Sequence, residues 1–390
     1  MKIANLLGRG VEYCGVTKCI IEMNKYKNCD NYYIEMKKWG RNAFNKKQFI
    51  LLKDYNKLNE YDWVFIQSIP PKIKNKDDKN LEEWNKLLNT IETKVAFFNH
   101  DHNIISIKRN LGLIETCEKA DIIFTLCKEN DFVKFINQHN KNFINKLEVF
   151  EPMFNFDKKN WKQYEEKNIQ LIHWVGRTTT WKRFEDFFLF HNKFNNWTLI
   201  MEGLEKSIAF CRVKKFKEIY NDTTLEKNKE NIILDKSKIN IFGPYKNVEL
   251  LEKIKSEGFG CQISALKKKY INRNYEYSHC ELINSGVVCI FNVEWFKHCI
   301  HRKQQIPFTE IKNSGIIWFN KNKVDECVKE IKKVANNKEL YNQYRENAFK
   351  LWKEHGEAEI IYNNIISTLK SRLCKECDEI KNGDYCDCDD

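Results

Sequence analysis

Proline is scarce in this chain and glycine is not abundant, with 5 Pro and 14 Gly in 390 residues. That scarcity excludes collagen-like and Pro-rich extended polymers, whose geometry depends on those residues. No uninterrupted apolar run approaches the roughly 20 residues a membrane-spanning helix needs. The opening stretch, Met1 to Gly8, is too short for the apolar core of a secretory signal, so neither export by that route nor a membrane location is expected. What is present is 42% hydrophobic, 31% charged and 13% aromatic residues, enough apolar matter to bury a core rather than remain disordered. A chain of 390 residues exceeds what one core usually serves, which points to two domains of roughly 150 to 200 residues each.

Lys and Arg number 66 against 54 Asp and Glu, a net charge of +12 that is unevenly placed. Residues 371–390 carry three basic and seven acidic side chains, which leaves residues 1–370 at +16. A body that basic suits a polyanionic partner, although Lys- and Asn-rich loops such as 75–80 also fit simple solvation. Eleven of the 15 cysteines are scattered through the body, several in apolar runs such as Val288-Cys289-Ile290-Phe291. They fit reduced, buried, small hydrophobes in a cytoplasmic protein. The other four, Cys374, Cys377, Cys386 and Cys388, lie in the acidic tail as C-x2-C and C-x-C. That set is a candidate tetrahedral zinc site, with a second pair tighter than the usual spacing.

Short apolar runs alternate with helical periodicity along both halves. Strands are predicted at Ile3–Leu7, Tyr32–Met36, Phe49–Leu52, Trp63–Ile69, Val95–Phe98 and Asp121–Leu126, with helices at Val16–Lys25, Asn80–Ile91, Ser106–Lys119 and Glu129–Gln138. A second series of strands runs from Ile169–Val175 to Ile316–Phe319, with helices including Glu276–Ser285 and Val324–Val334. Such alternation means α/β domains with parallel sheets covered by helices on both faces. The expected organisation is a domain at 1–160, a polar linker at Asp157–Lys167, and a domain at 168–340. Closing helices follow at 341–370 (Leu340–His355 and Glu357–Lys370), then the tail at 371–390, without apolar periodicity. Two Rossmann-like, doubly wound domains in tandem would face a central cleft.

After the first strand, Gly8-Arg9-Gly10-Val11-Glu12-Tyr13-Cys14-Gly15 opens a helix, an arrangement that lets backbone N–H groups approach a phosphate or sugar. Neither G-x-G-x-x-G nor the P-loop pattern fits, because the third glycine comes too late and Val16-Thr17 replaces the Lys-Ser/Thr. Asn99-His100-Asp101-His102 follows the Val95–Phe98 strand, and the carboxyl ends of parallel strands are where open α/β sheets bind ligands. Metal ligation by these residues is the competing reading. Gly176-Arg177 and Lys182 flank a predicted helix start, which offers a diphosphate cradle or an ordinary N-cap at Thr179 or Thr180. Glu276 and Glu281 stand about 140° apart on an ideal helix, so both reach one ligand only if Glu276 lies at or before the helix start.

With these residues in view, the chain resembles the DNA α-glucosyltransferases of T-even phages. The resembling segments are Arg9–Glu12 with Cys14–Lys18, His100–His102 with Arg109–Leu113, Trp174–Lys182, Met201–Glu205, Ser256 with Gly258–Gly260, Glu276-Tyr277 with His279 and Glu281, and Ser314–Phe319. Residues 157–167, 221–238 and the cysteine tail do not resemble the family. The resemblance implies the GT-B fold and transfer of glucose, with retention, from UDP-glucose or another UDP-sugar to the hydroxyl of 5-hydroxymethylcytosine in duplex DNA. The base would be flipped into the cleft, and the modification would protect phage DNA from restriction. Carried over by residue, Arg177 and Lys182 would hold the diphosphate, Glu281 the ribose, Glu276 the sugar or its phosphate, and Gly15 the donor loop. Glu22, His102 and Arg109 would lie on the acceptor side, with His100 and Asp101 catalytic. Cations and a helix N-terminus can stabilise the leaving diphosphate, so no catalytic metal is obligatory. A monomer in the cytoplasm, that of the host cell if the chain is viral, is expected. The alternatives are a GT-B enzyme acting on lipopolysaccharide or a cell-wall polymer, or one acting on another hydroxymethylated base.

Overall fold

The structure is a computed structural model. It describes residues 1–8, 15–26, 29–34, 48–70, 79–100, 112–159, 161–162, 169–175, 184–187, 193–194, 196–202, 224–227, 230–233, 236–241, 254, 257–264 and 275–380. The chain divides into two compact units, Met1–Asn155 with Gly356–Asp390, and Phe156–His355.

Unit 1 is built on seven parallel strands: β1 (Ile3–Leu7), β2 (Asp30–Tyr33), β3 (Ile50–Leu51), β4 (Trp63–Ser68), β5 (Lys94–Asn99), β6 (Ile122–Thr125) and β7 (Leu147–Val149). Their order is β3-β2-β1-β4-β5-β6-β7, the doubly wound arrangement that reverses direction between β1 and β4. Every residue of β1 is buried, as expected for a central strand covered on both faces. One face carries Ala4, Leu6, Val64, Ile66, Val95 and Phe97, against which Trp84, Leu87 and Leu88 of α2 (Lys79–Thr90) pack. On the opposite face α1 (Gly15–Asn24) contributes Ile20, packed with Leu7 and Phe49. Helices α3 (Gly112–Lys119) and α4 (Asp131–His139) complete the cover. Gly8 sits at the reversal point, where its N–H donates to Ser68 O at 2.7 Å. A Cβ there would stand 2.6 Å from the same oxygen, so only glycine lets β1 and β4 separate this closely.

Unit 2 repeats the plan with β8 (Leu171–Val175), β9 (Thr198–Glu202), β12 (Ile239–Ile241), β13 (Phe259–Gln262), β14 (Val288–Asn292) and β15 (Ile316–Phe319). The order β12-β9-β8-β13-β14-β15 is again doubly wound and parallel throughout. A separate antiparallel hairpin, β10 (Thr224–Lys227) with β11 (Glu230–Ile233), interrupts the series. The short helix α5 (Phe184–Phe187) follows β8, while α6 (Tyr277–Asn284) follows β13. Gly260 brings α6 onto the sheet, since a Cβ would meet Leu282 at 2.7 Å and Val287 at 2.8 Å. Next come α7 (Val293–Phe296), α8 (Val324–Ala335) and α9 (Lys338–Gly356). Ile331 and Val334 of α8 enter the core with Ile172, Ile290 and Ile317.

Two expectations need correction. Within the expected linker, the described residues 157–159 and 161–162 belong to unit 2: the Asp157 N–H donates to Asn284 Oδ1 at 2.7 Å and the Trp161 indole donates to Asn284 O at 3.0 Å. Arg345 covers the Trp161 ring at 5.1 Å and donates to Lys162 O. The final helix, α10 (Ala358–Ile380), likewise continues ten residues past the expected end at Lys370, into the acidic segment.

Candidate functional site

Parallel strands open at their carboxyl edges, and among the described residues His100 in unit 1 and Gln262 with Glu276 in unit 2 lie there. In unit 1 His100 directly follows β5 and is half-buried. Its imidazole lies over Phe98 (centroids 6.4 Å, 26° between planes) and edge-on to Phe150 at 5.1 Å. Its Nε2 meets Gln67 Oε1 at 2.9 Å. Gln67, 1% exposed on β4, in turn donates from Nε2 to Asn5 Oδ1 at 3.0 Å. The ring is therefore held by a near-parallel ring, an edge-on ring and an amide from the neighbouring strand.

Gly15 opens α1 just beyond the β1 carboxyl end, so a helix N-terminus faces that edge of the sheet. Glu22, on the same helix and 7% exposed, has its carboxylate engaged within the unit. It accepts from Lys25 Nζ at 3.0 and 3.1 Å, from the Asn155 backbone N–H at 3.0 Å, and from the Asn155 side chain. These bonds anchor the chain where unit 1 is first left.

In unit 2 the carboxyl end of β13 faces the start of α6. Glu276 is the N-cap of that helix, with extended backbone (φ −108°, ψ 157°), and its N–H donates to His279 Nδ1 at 3.0 Å. That position meets the geometric condition set by the spacing of Glu276 and Glu281. Gln262, the last residue of β13, donates from Nε2 to the Glu276 carboxylate and to Ser278 Oγ. Its Oε1 accepts from the Ser264 N–H at 3.0 Å, which fixes the amide's orientation because a backbone N–H can only donate. Glu281 is buried on α6 at 6% exposure. His279 is also buried, edge-on to Phe291 at 4.6 Å and Phe296 at 4.9 Å, which keeps α6 seated on β14 and α7.

The structure thus brings His100 together with Gln67, and Glu276 together with Gln262 and Ser278. Asp101, His102, Arg109, Arg177, Lys182, Cys386 and Cys388 lie outside the described residues; Cys374 and Cys377 fall on the last turns of α10. Gln67, Asn5 and Gln262 were not singled out from sequence. A signal existed for each, an amide interrupting an otherwise apolar strand: Ile3-Ala4-Asn5-Leu6-Leu7, Trp63-Val64-Phe65-Ile66-Gln67 and Phe259-Gly260-Cys261-Gln262. Nine cysteines among the described residues are buried and unbridged, including Cys117, Cys261 and Cys289, whose thiols burial pushes well up from the ordinary range.

The sequence profile of the DNA alpha-glucosyltransferase family matches residues 14–339, a span that runs through both units. The chain belongs to this family. It is 31% identical over 397 aligned positions to the DNA alpha-glucosyltransferase of Enterobacteria phage T4, covering 93% of this chain and 98% of that protein. It resembles a solved alpha-glucosyltransferase in complex with UDP-glucose and DNA containing an abasic site, with a TM-score of 0.79, 30% identity, and coverage of 94% of this chain and 99% of that one. A second, with UDP and a 13-mer DNA containing a HMU base, gives a TM-score of 0.77 at 29% identity over 94% of this chain and 98% of that one. The fold is accordingly GT-B, and the chain is an enzyme of the DNA alpha-glucosyltransferase family. No helix among the described residues is long and apolar enough to cross a membrane.

Proposed function

We propose that this enzyme transfers glucose from UDP-glucose, with retention, to the hydroxyl of 5-hydroxymethylcytosine in duplex DNA. The observation that carries the reading is the family match from residue 14 to 339, which takes in the acceptor-type segment around His100 as well as the donor-type segment around Glu276. In the reaction the bond between the glucose C1 and the UDP phosphate oxygen breaks, and a bond from C1 to the hydroxymethyl oxygen forms. UDP leaves with the charge that Arg177, Lys182 and a helix N-terminus stabilise. The hydroxyl proton passes to a departing phosphate oxygen or to the His100–Asp101 pair.

Glu276, aimed by Gln262, takes a sugar or phosphate group, and Glu281 takes the ribose. Gly15 lines the donor loop, while Glu22, His102 and Arg109 serve the acceptor side. Flipping the base costs a few kcal/mol of unstacking, offset by phosphate contacts from a body of net charge +16. The reading includes a monomeric enzyme acting on DNA in the host cytoplasm. The deciding experiment supplies radiolabelled UDP-sugars with duplexes containing cytosine, hydroxymethylcytosine or hydroxymethyluracil. Label is expected from UDP-glucose on hydroxymethylcytosine and none on cytosine, which offers no hydroxyl. Transfer only to lipid or polysaccharide acceptors would overturn the reading.

The tail set Cys374, Cys377, Cys386 and Cys388 is proposed as a structural zinc site apart from the chemistry. About one zinc per chain, lost on Cys386→Ser with Cys388→Ser, is expected by atomic absorption. Metal-free wild-type protein with reactive tail thiols would refute it.

A further inference from the structure

The bond between His100 and Gln67 is one end of a longer chain of side chains that crosses four parallel strands. Asn31 on β2 donates from Nδ2 to the Gln48 backbone carbonyl at 3.1 Å. Asn5, directly across from it in the β1–β2 register, donates from Nδ2 to Asn31 Oδ1 at 3.0 Å. Gln67 donates to Asn5 Oδ1 at 3.0 Å, and Gln67 Oε1 meets His100 Nε2 at 2.9 Å. Asn5, Asn31 and Gln67 are at most 5% exposed, so solvent offers these amides little exchange.

The direction of every bond follows from the first. A backbone carbonyl can only accept, so the NH2 of Asn31 must face Gln48 and its oxygen must face Asn5. Asn5 then has to present NH2 to Asn31 and oxygen to Gln67, and Gln67 has to present NH2 to Asn5 and oxygen to His100. An amide oxygen accepts only, so His100 Nε2 must carry hydrogen. In the neutral imidazole the lone pair is therefore on Nδ1; the opposite tautomer would set a lone pair against the Gln67 oxygen. The relay holds no net charge, so it selects the tautomer by hydrogen-bond direction alone.

We propose that Gln67, Asn5 and Asn31 are positioning residues that fix Nδ1 of His100 as the nitrogen that meets the acceptor's hydroxyl. The proposal rests on the reading of His100 as a catalytic group. Phe98 and Phe150, packed on the ring, carry no charge. Asp101 is common to wild type and variants, so it cancels in their comparison.

Nitrogen-15 NMR of the histidine rings in the full chain, with His100 assigned by loss of its signal in His100→Ala, should give the Nε2–H tautomer at high pH. An Nδ1–H ring in the wild type would overturn the proposal, whatever the enzyme's activity. Gln67→Glu replaces the oxygen acceptor with a charged one. The acid limb of the kcat/KM profile should move up by about one pH unit, the size expected for one added charge–hydrogen bond. Asn31→Leu removes the anchor without touching His100 and should lower kcat a few-fold while donor KM stays unchanged. An unmoved acid limb in a folded Gln67→Glu protein would refute the proposal. If His100→Ala retains full transfer while the wild-type ring is Nε2–H, the catalytic reading fails but the tautomer assignment stands.

Discussion

The two units place a glutamine at the same point in the same topology and use opposite ends of its amide. Gln67 lies near the carboxyl end of β4 and Gln262 at that of β13, and each of these strands pairs with the first strand of its sheet across the reversal point. Gln67 shows its oxygen to an imidazole N–H; Gln262 shows its NH2 to a carboxylate. What decides the orientation is a backbone group that cannot change its role. In unit 1 a carbonyl acts through two asparagines, whereas in unit 2 the Ser264 N–H acts directly. An amide, symmetrical in shape, is thus turned into an acceptor or a donor by one remote backbone atom.

Loss of a held group should cost the most. His100→Ala should lower transfer by roughly 10²- to 10⁴-fold, the usual range for a lost proton-handling group, with UDP affinity unchanged. Single-turnover rates that match wild type would end its catalytic assignment. Arg177→Ala and Lys182→Ala should each weaken UDP by about ten- to a hundredfold, equivalent to 1.5–3 kcal/mol for a charge-assisted contact. Calorimetric titrations with unaltered affinity in both would remove the diphosphate cradle.

Gln262→Glu sets a second carboxylate against Glu276, so donor KM should rise about tenfold while Gln67→Glu shifts the pH profile instead. Equal effects of the two changes on KM would dissolve the distinction between the units. The smallest effect concerns stability. Burial holds His355 well below its ordinary value of 6.5, with His301 and Arg302 adding to the shift, and burial lowers His301 as well. As the pH falls below about 6.5, the unfolded chain takes up protons that the folded one refuses. Stability is therefore full above that value and declines below it, by at most about 1.4 kcal/mol per pH unit for each proton. Thermal unfolding at pH 7.5, 6.5 and 5.5 reads this; a His355→Gln protein with the same pH slope would count against it.

Much of the sheet framework is legible in the sequence because buried parallel strands are continuous apolar runs. Ile3–Leu7 and Ile316–Phe319 coincide with β1 and β15. Strand β7 is three residues long with Glu148 at its centre, and the β10–β11 hairpin is largely polar, so neither has an apolar run to betray it. His100 and Glu276 stand out for the same reason that Gln67 does not. Each follows a strand or begins a helix, whereas Gln67 shows only as an amide in an apolar strand and takes its role through Asn5, 62 positions earlier. That relation is created by strand order, which local periodicity does not contain.

The route of the chain has a consequence for synthesis. Unit 1 is left at Asn155 and re-entered at Gly356, and the two passages are stitched side by side: Phe154 N–H donates to Gly356 O at 3.2 Å and Ala358 N–H to Phe154 O at 3.0 Å. Beyond that seam α10 packs against α1, with Tyr26 bonded to Glu357 and Arg372 to Glu148 at 2.8 Å. A ribosome delivers the seven-stranded sheet first, then all of residues 156–355, and only afterwards the helix that closes over α1. The first unit begun is therefore the last one finished. A chain stalled anywhere in the second unit carries an incomplete first one, so completion of unit 1 reports that translation has passed residue 356.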